Sequence, residues 1–102
     1  MKVTFPAKRQ GETLSLQFDF TSKLAANQYF TSSNVAVSVY SGVDPSPSLV
    51  LSGTTSIAGA VVTQKVTGGV VGTIYSLLCT AASSDGQTLE LMGFLAITQD
   101  AV

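Results

Sequence analysis

The 102-residue sequence predicts an all-β fold, a sandwich of about seven short strands in a single domain, and three observations carry that expectation. Apolar residues recur with period two, not with the 3.6-residue period of an amphipathic helix. Gly, Pro, Asn and Asp punctuate the chain at roughly 8–12-residue intervals, the usual spacing of sandwich strands. Hydrophobic residues make up 45% and charged residues only 11%, so there is apolar surface for a core and no signature of disorder.

The elements follow in order. Residues 1–11 are an expected N-terminal arm, rich in charge and interrupted by Pro6. In residues 13–20, Leu14, Leu16, Phe18 and Phe20 alternate with Thr13, Ser15, Gln17 and Asp19, the pattern of a half-buried strand. Residues 21–33 read as a loop with one helical turn around 22–27, too short to stand as a helix. Residues 34–40 form a second strand, with Val35, Val37 and Val39 on one face, and it stops at Gly42 and the turn Asp44-Pro45-Ser46-Pro47. Leu49-Val50-Leu51 is a short edge or crossover strand closed by Gly53. Residues 54–57 and 60–67 are two further strands divided by Gly59, and Gly68-Gly69 makes the next turn.

The longest strand begins after Gly72, with Tyr75, Leu77, Cys79 and Ala81 on one face and Ile74, Ser76, Leu78 and Thr80 on the other. Asp85-Gly86 supplies a hairpin turn, and residues 87–98 return as the partner strand. There Leu89, Leu91, Leu95 and Ile97 share a face, with Gly93 a bulge or a point of close approach. Such a set of strands without a convincing helix describes an immunoglobulin-like β-sandwich, with a small barrel as the alternative. Tyr75 opens the penultimate strand where sandwiches often place a tyrosine bonded back to a nearby loop, so it is expected to be a structural corner.

The same residues exclude most chemistry. With no histidine, the usual base near neutral pH and the commonest metal ligand are both missing. Cys79 is the single cysteine, so an intrachain disulfide is impossible, and its mid-strand position marks a core thiol and not a nucleophile. Glu12, Asp19, Asp44, Asp85 and Glu90 are scattered over solvated faces and turns, with no paired-carboxylate spacing. Gly68-Gly69-Val70-Val71-Gly72 lacks the Lys-Ser or Lys-Thr of a phosphate loop and opens a strand. No catalytic, cofactor-binding or metal-binding residue is therefore expected, and the protein is read as a non-enzyme.

A net charge of −1 gives no electrostatic footprint for nucleic acid or a membrane surface, and it favours association with other proteins. No signal peptide or spanning helix is expected from the N-terminal sequence or from the Gly- and Ser-studded residues 66–84. Tyr29, Phe30 and Tyr40 offer a sugar-stacking platform as a minor alternative, with core packing preferred because the chain has no Trp. Lys2, Lys8, Arg9 and Lys23 put four of the 5 positive charges in the first quarter of the chain. A solvated N-terminal arm explains them, and a grip on an acidic neighbour or on nucleic acid is the functional alternative.

Three blocks carry a resemblance. They are Phe5-Pro6-Ala7-Lys8 with the strand ending Asp19-Phe20, then Gly68-Gly69-Val70-Val71-Gly72-Thr73-Ile74-Tyr75-Ser76-Leu77, then Ser84-Asp85-Gly86-Gln87-Thr88 leading to Phe94-Leu95-Ala96-Ile97. In order and spacing the chain resembles a family of small tailed-phage virion proteins with immunoglobulin-like sandwiches, of the neck and fibre-to-tail adaptor kind. It departs from that pattern at Phe20, where members often carry Trp, and in its Asp44-Pro45-Ser46-Pro47 loop. The resemblance implies a multi-copy structural subunit of the virion, made in the host cytoplasm, that joins neck, tail or fibre proteins and needs no cofactor. A capsid decoration protein or a glycan-binding module at a cell surface is the alternative. Extended termini add readily to a neighbour's sheet, so Lys2, Phe5, Lys8 and Arg9 are the expected interface residues.

Overall fold

The protein is described by a computed structural model covering residues 2–24 and 27–99, without the side chains of residues 2, 3, 48 and 49. Its strands are β1 (Lys2–Thr4), β2 (Lys8–Arg9), β3 (Thr13–Asp19), β4 (Phe30–Ser41), β5 (Leu51–Ala58), β6 (Val61–Thr67), β7 (Ile74–Ser83) and β8 (Thr88–Thr98). A single 3₁₀ turn, Pro47–Val50, precedes β5. One sheet has the order β1-β8-β7-β4 with β2 also on β8, and the other is β3-β6-β5. Because β1 and β2 pair in parallel with successive parts of β8, they are two pieces of one edge strand broken at Phe5-Pro6-Ala7. Seven strand positions result, in an immunoglobulin-like sandwich whose first strand joins the last one.

Both sheets bury the face that the alternation marked. Leu16, Phe18, Val62 and Val66 from the three-stranded sheet meet Val35, Tyr75, Leu77, Cys79, Leu91, Leu95 and Ile97 from the other, and Phe20 joins them just beyond β3. Two edge-to-face ring pairs tie the layers to the connections: Phe5 with Phe18 at 5.3 Å and Phe20 with Phe30 at 5.1 Å.

Several boundaries differ from the sequence expectation, each for a local reason. The strand expected to begin at residue 34 starts at Phe30, because a register shift between Phe30 and Ser32 turns Phe30 into the core and disguises the alternation within a polar run. The short strand expected at Leu49-Val50-Leu51 and the one at 54–57 are not separate. Val50 ends the 3₁₀ turn, and β5 continues through Gly53, whose φ of 75° sits at a register shift between Ser52 and Ser56. Buried Gln64 explains why that shift is tolerated, since its amide donates to the carbonyls of Ser52, Gly53 and Lys65. Gly93 makes no bulge: it lies in unbroken register between Leu77 and Val3. In the first connection Lys23 and Leu24 both donate to the Phe20 carbonyl, a single helical turn, while Ala25 and Ala26 lie outside the described residues.

The expected N-terminal arm is a constituent of the fold. Residues 2–4 and 8–9 complete the sheet beside β8, and the Phe5 N–H donates to the Phe94 carbonyl at 2.9 Å. A solvated arm would leave that edge of β8 unpaired.

Candidate docking face

The outward side of the five-stranded sheet differs from an ordinary solvated face. An antiparallel sheet with one buried side usually turns polar residues to water on the other. Here the strand registers bring Ala36, Leu78 and Met92 into one cross-strand row, Ser38, Ser76 and Phe94 into the next, and Ile74 opposite Ala96 beyond it. Tyr40, 67% exposed, lays its ring edge-to-face against Phe94 at 4.9 Å. Across the outward positions of β4, β7 and β8 the one charged residue is Glu90.

The face is hollowed at one end. Thr4, Phe5, Ala7, Tyr40, Ile74, Phe94 and Ala96 line an open apolar groove of about 470 Å³ where the broken edge strand diverges from β8. Phe5-Pro6-Ala7 creates this hollow, because Pro6 has no N–H to offer β8 and the ladder resumes only at Lys8.

Lys8 anchors the far side of the break. Its side chain is fully buried, and the ammonium donates to the carbonyls of Arg9 at 2.8 Å, Gln10 at 3.3 Å and Gly68 at 2.7 Å. Three donors meet three acceptors. Burial holds the amine below the ordinary lysine range, partly opposed by the nearby Glu12 carboxylate. Gln10 extends the clamp by donating to the Gly69 carbonyl at 2.9 Å. Gly69 has φ of 100°, and a Cβ there would come within 2.8 Å of the Ile97 side chain, so the turn beneath the clamp requires glycine.

Tyr75 forms the expected corner. Its hydroxyl accepts the Val70 N–H at 2.9 Å and donates to the Asp44 carboxylate at 2.6 Å. Burial and the Asp44 hydrogen bond raise its pKa above the usual tyrosine value. Asp44 thus has a role beyond its own turn, where it also accepts the Ser46 N–H. Cys79 is buried, and desolvation pushes its thiol up to about 12, so it is protonated at neutral pH. No group of three or more His, Cys, Asp or Glu suited to a metal occurs among the described residues.

The expected interface residues scatter. Phe5 reaches the groove and also packs on Phe18. Arg9 is exposed and lines a separate polar crevice with Gln10, Val71 and Thr98. Lys8 points inward, which corrects its reading as a solvated cation: three carbonyls converge on its ammonium as soon as β2 pairs with β8. Lys2 stands in register with Met92, and its side chain lies outside the described residues. Tyr29 and Tyr40 are exposed at opposite ends of β4 while Phe30 is buried, so they neither pack in the core nor form a platform together. Tyr40 enters the sequence reading only through the sugar-stacking alternative, and the apolar outward set of β7 and β8 is not singled out there. The alternation already separated those residues from the core face, but their adjacency to β4 needs the registers.

No curated protein sequence matches the chain. A family model does, over residues 8–94, so all of the quoted blocks but Phe5-Pro6-Ala7 at the start and Leu95-Ala96-Ile97 at the end falls inside it. The family is a structural, non-catalytic kind of protein, and its members are virion components of the phage tail. With most of its length matched and its sandwich complete, the chain belongs to the podophage GP4 fiber-tail adaptor protein gp77 family.

Proposed function

We propose that this subunit joins fibre and tail proteins by direct protein–protein contact through the outward face of the five-stranded sheet, in several copies per particle. The observation that carries the reading is that face itself. Tyr40, Ile74, Leu78, Met92, Phe94 and Ala96 make a nearly charge-free surface with a groove at one end, where solvation alone would favour polar side chains. Aromatic residues seated beside an apolar hollow are the usual anchors of protein interfaces. The four N-terminal residues contribute in different ways. Phe5 is a groove wall, Arg9 a charge offered at the rim, Lys2 part of the adjoining edge, and Lys8 an internal anchor that fixes the strand carrying the others.

Co-sedimentation of the purified chain with the tail and fibre proteins of the same phage tests this. Tyr40→Ser leaves the buried core untouched and is expected to weaken binding by about 30-fold or more, as for an interface anchor worth about 2 kcal/mol. Binding equal to that of the unsubstituted protein would overturn the assignment of this face.

A further inference from the structure

The outward face of the five-stranded sheet does not end at the apolar groove. Arg9 and Thr98 stand side by side in register, two residues beyond Ala7 and Ala96, which line the groove. Two residues along a strand span about 7 Å. At that distance Arg9, Gln10, Gly11, Val71, Thr98 and Gln99 bound a second, polar crevice of about 430 Å³. Two of its groups lack the partners that folding usually provides. The Arg9 guanidinium is exposed and makes no ion pair or hydrogen bond among the described residues, while the Glu12 carboxylate accepts the Arg9 backbone N–H at 2.7 Å. The Thr98 hydroxyl is buried and has no hydrogen-bond partner among the described residues. A buried hydroxyl left unpaired is destabilising, and valine would fill the same volume without that cost.

We infer that this crevice takes a carboxylate of the docked tail or fibre protein, an Asp or Glu side chain in an extended segment whose apolar side chain two residues away fills the groove. The inference rests on the docking reading above and adds to it the chemistry of the partner. The guanidinium supplies a positive charge and a pair of parallel donors, the match for a carboxylate. Thr98 supplies a third donor. The residue as a whole is only half-buried, so rotation about χ1 carries its hydroxyl from the buried position to the crevice while β8 stays in place. Side chains two apart in an extended segment point to one side about 7 Å apart, which is the spacing of groove and crevice. One cation close to Glu12 suits a single carboxylate and not a polyanion such as nucleic acid. The wall of the crevice is held in advance, since Gln10 donates to the Gly69 carbonyl at 2.9 Å and the Lys8 ammonium pins β2 to the Gly68 carbonyl.

Titration of the full chain with two blocked peptides, followed by NMR, tests this without any other phage protein. One peptide is acetyl-Gly-Phe-Gly-Asp-Gly-amide, and the other carries Asn in place of Asp. The first is expected to give saturable shifts of the Arg9, Thr98 and Gln99 amides, and the second to bind about fivefold more weakly or worse. Arg9→Ala and Thr98→Val should each lose a similar factor with the first peptide. Thr98→Val is also expected to keep or raise the melting temperature, which separates a binding role from a structural one. Equal binding of the two peptides, no shift at these amides, or inorganic phosphate moving them as strongly as the Asp peptide overturns the inference. Co-sedimentation with the tail and fibre proteins keeps it apart from the docking reading. There Arg9→Ala and Thr98→Val are expected to weaken binding by about fivefold or more. If both bind as the unsubstituted chain does while Tyr40→Ser does not, the carboxylate site falls and the docking face stands. If Tyr40→Ser also binds unchanged, the face falls and takes this inference with it.

Discussion

The two outward faces of this sandwich are built from the same kind of alternating strand and end in opposite chemistry. On the three-stranded sheet the cross-strand rows read Ser15, Lys65 and Ser52, then Gln17, Thr63 and Ser56, a polar surface of ordinary type. On the five-stranded sheet the corresponding rows read Ala36, Leu78 and Met92 with Lys2 at the β1 edge, then Ser38, Ser76 and Phe94 with Thr4 at that edge, so the apolar part is confined to β4, β7 and β8. Folding asks only that the inner face of each sheet be apolar, and both satisfy it. The fold therefore does not account for the apolar outer face, whereas the contact with other subunits proposed above would. Polar Ser38 and Ser76 fit the same view: their hydroxyls bond to each other at 2.8 Å across the strands.

The contrast breaks most sharply if the apolar outer face holds the sandwich together. Leu77 and Leu78 are neighbours on β7 that point to opposite sides, the first fully buried and the second half-buried. Leu77→Ala is expected to cost about 3–5 kcal/mol, the range for a core leucine that leaves a cavity, and Leu78→Ala about 1 kcal/mol or less. Urea unfolding of the two variants measures both. Equal losses would make the outer face part of the core and remove the argument for docking.

The corner at the end of the sandwich gives the next largest effect. Tyr75→Phe keeps the ring in place and removes the hydroxyl that accepts from Val70 and donates to Asp44, for an expected loss of about 1–2 kcal/mol. The folded pKa of Tyr75 lies above the unfolded value of 10.0, so the unfolded chain loses its proton first as pH rises. That part of the stability is complete below pH 10.0 and drains away above it. Lys8 runs the other way. Its folded pKa lies below 10.5, so its share of the stability grows as pH rises toward 10.5 and is lost as pH falls through the folded value. Melting temperatures of the wild type and Tyr75→Phe across the alkaline range should converge. A constant gap would mean that the hydroxyl does not titrate later in the fold than out of it.

Much of this architecture was legible in the sequence, because alternation depends only on nearest neighbours. The faces of β3, β7 and β8 and the Asp85-Gly86 hairpin follow from it, and Tyr75 could be placed because its corner partner Val70 is five residues away. What escaped depends on distance along the chain. Lys8 meets Gly68 across sixty residues, and Asp44 meets Tyr75 across thirty-one, so neither a buried ammonium nor a bonded turn carboxylate has a local signal. Lys8 instead stands between Ala7 and Arg9 in a stretch that local composition assigns to solvent. The candidate face lies between these cases. Its membership was readable strand by strand, yet Ala36, Leu78 and Met92 become one row only when β4 and β8 flank β7.

The smallest expected effect separates the two outer faces most cleanly, because it holds stability nearly constant. Lysine at Leu78 or at Thr63 places the same charge on an outward strand position of either sheet, and each is expected to change stability by about 0.5–1 kcal/mol or less. Their influence on apolar surface differs. Leu78→Lys interrupts the row that joins Ala36 to Met92 and should lower the fluorescence of an apolar dye bound to the folded protein, whereas Thr63→Lys changes a row that is already polar and should leave it alone. If both variants bind dye as the wild type does, the row from Ala36 to Met92 is not the continuous apolar patch that the registers describe, and the groove beside Phe5 would have to carry the docking by itself.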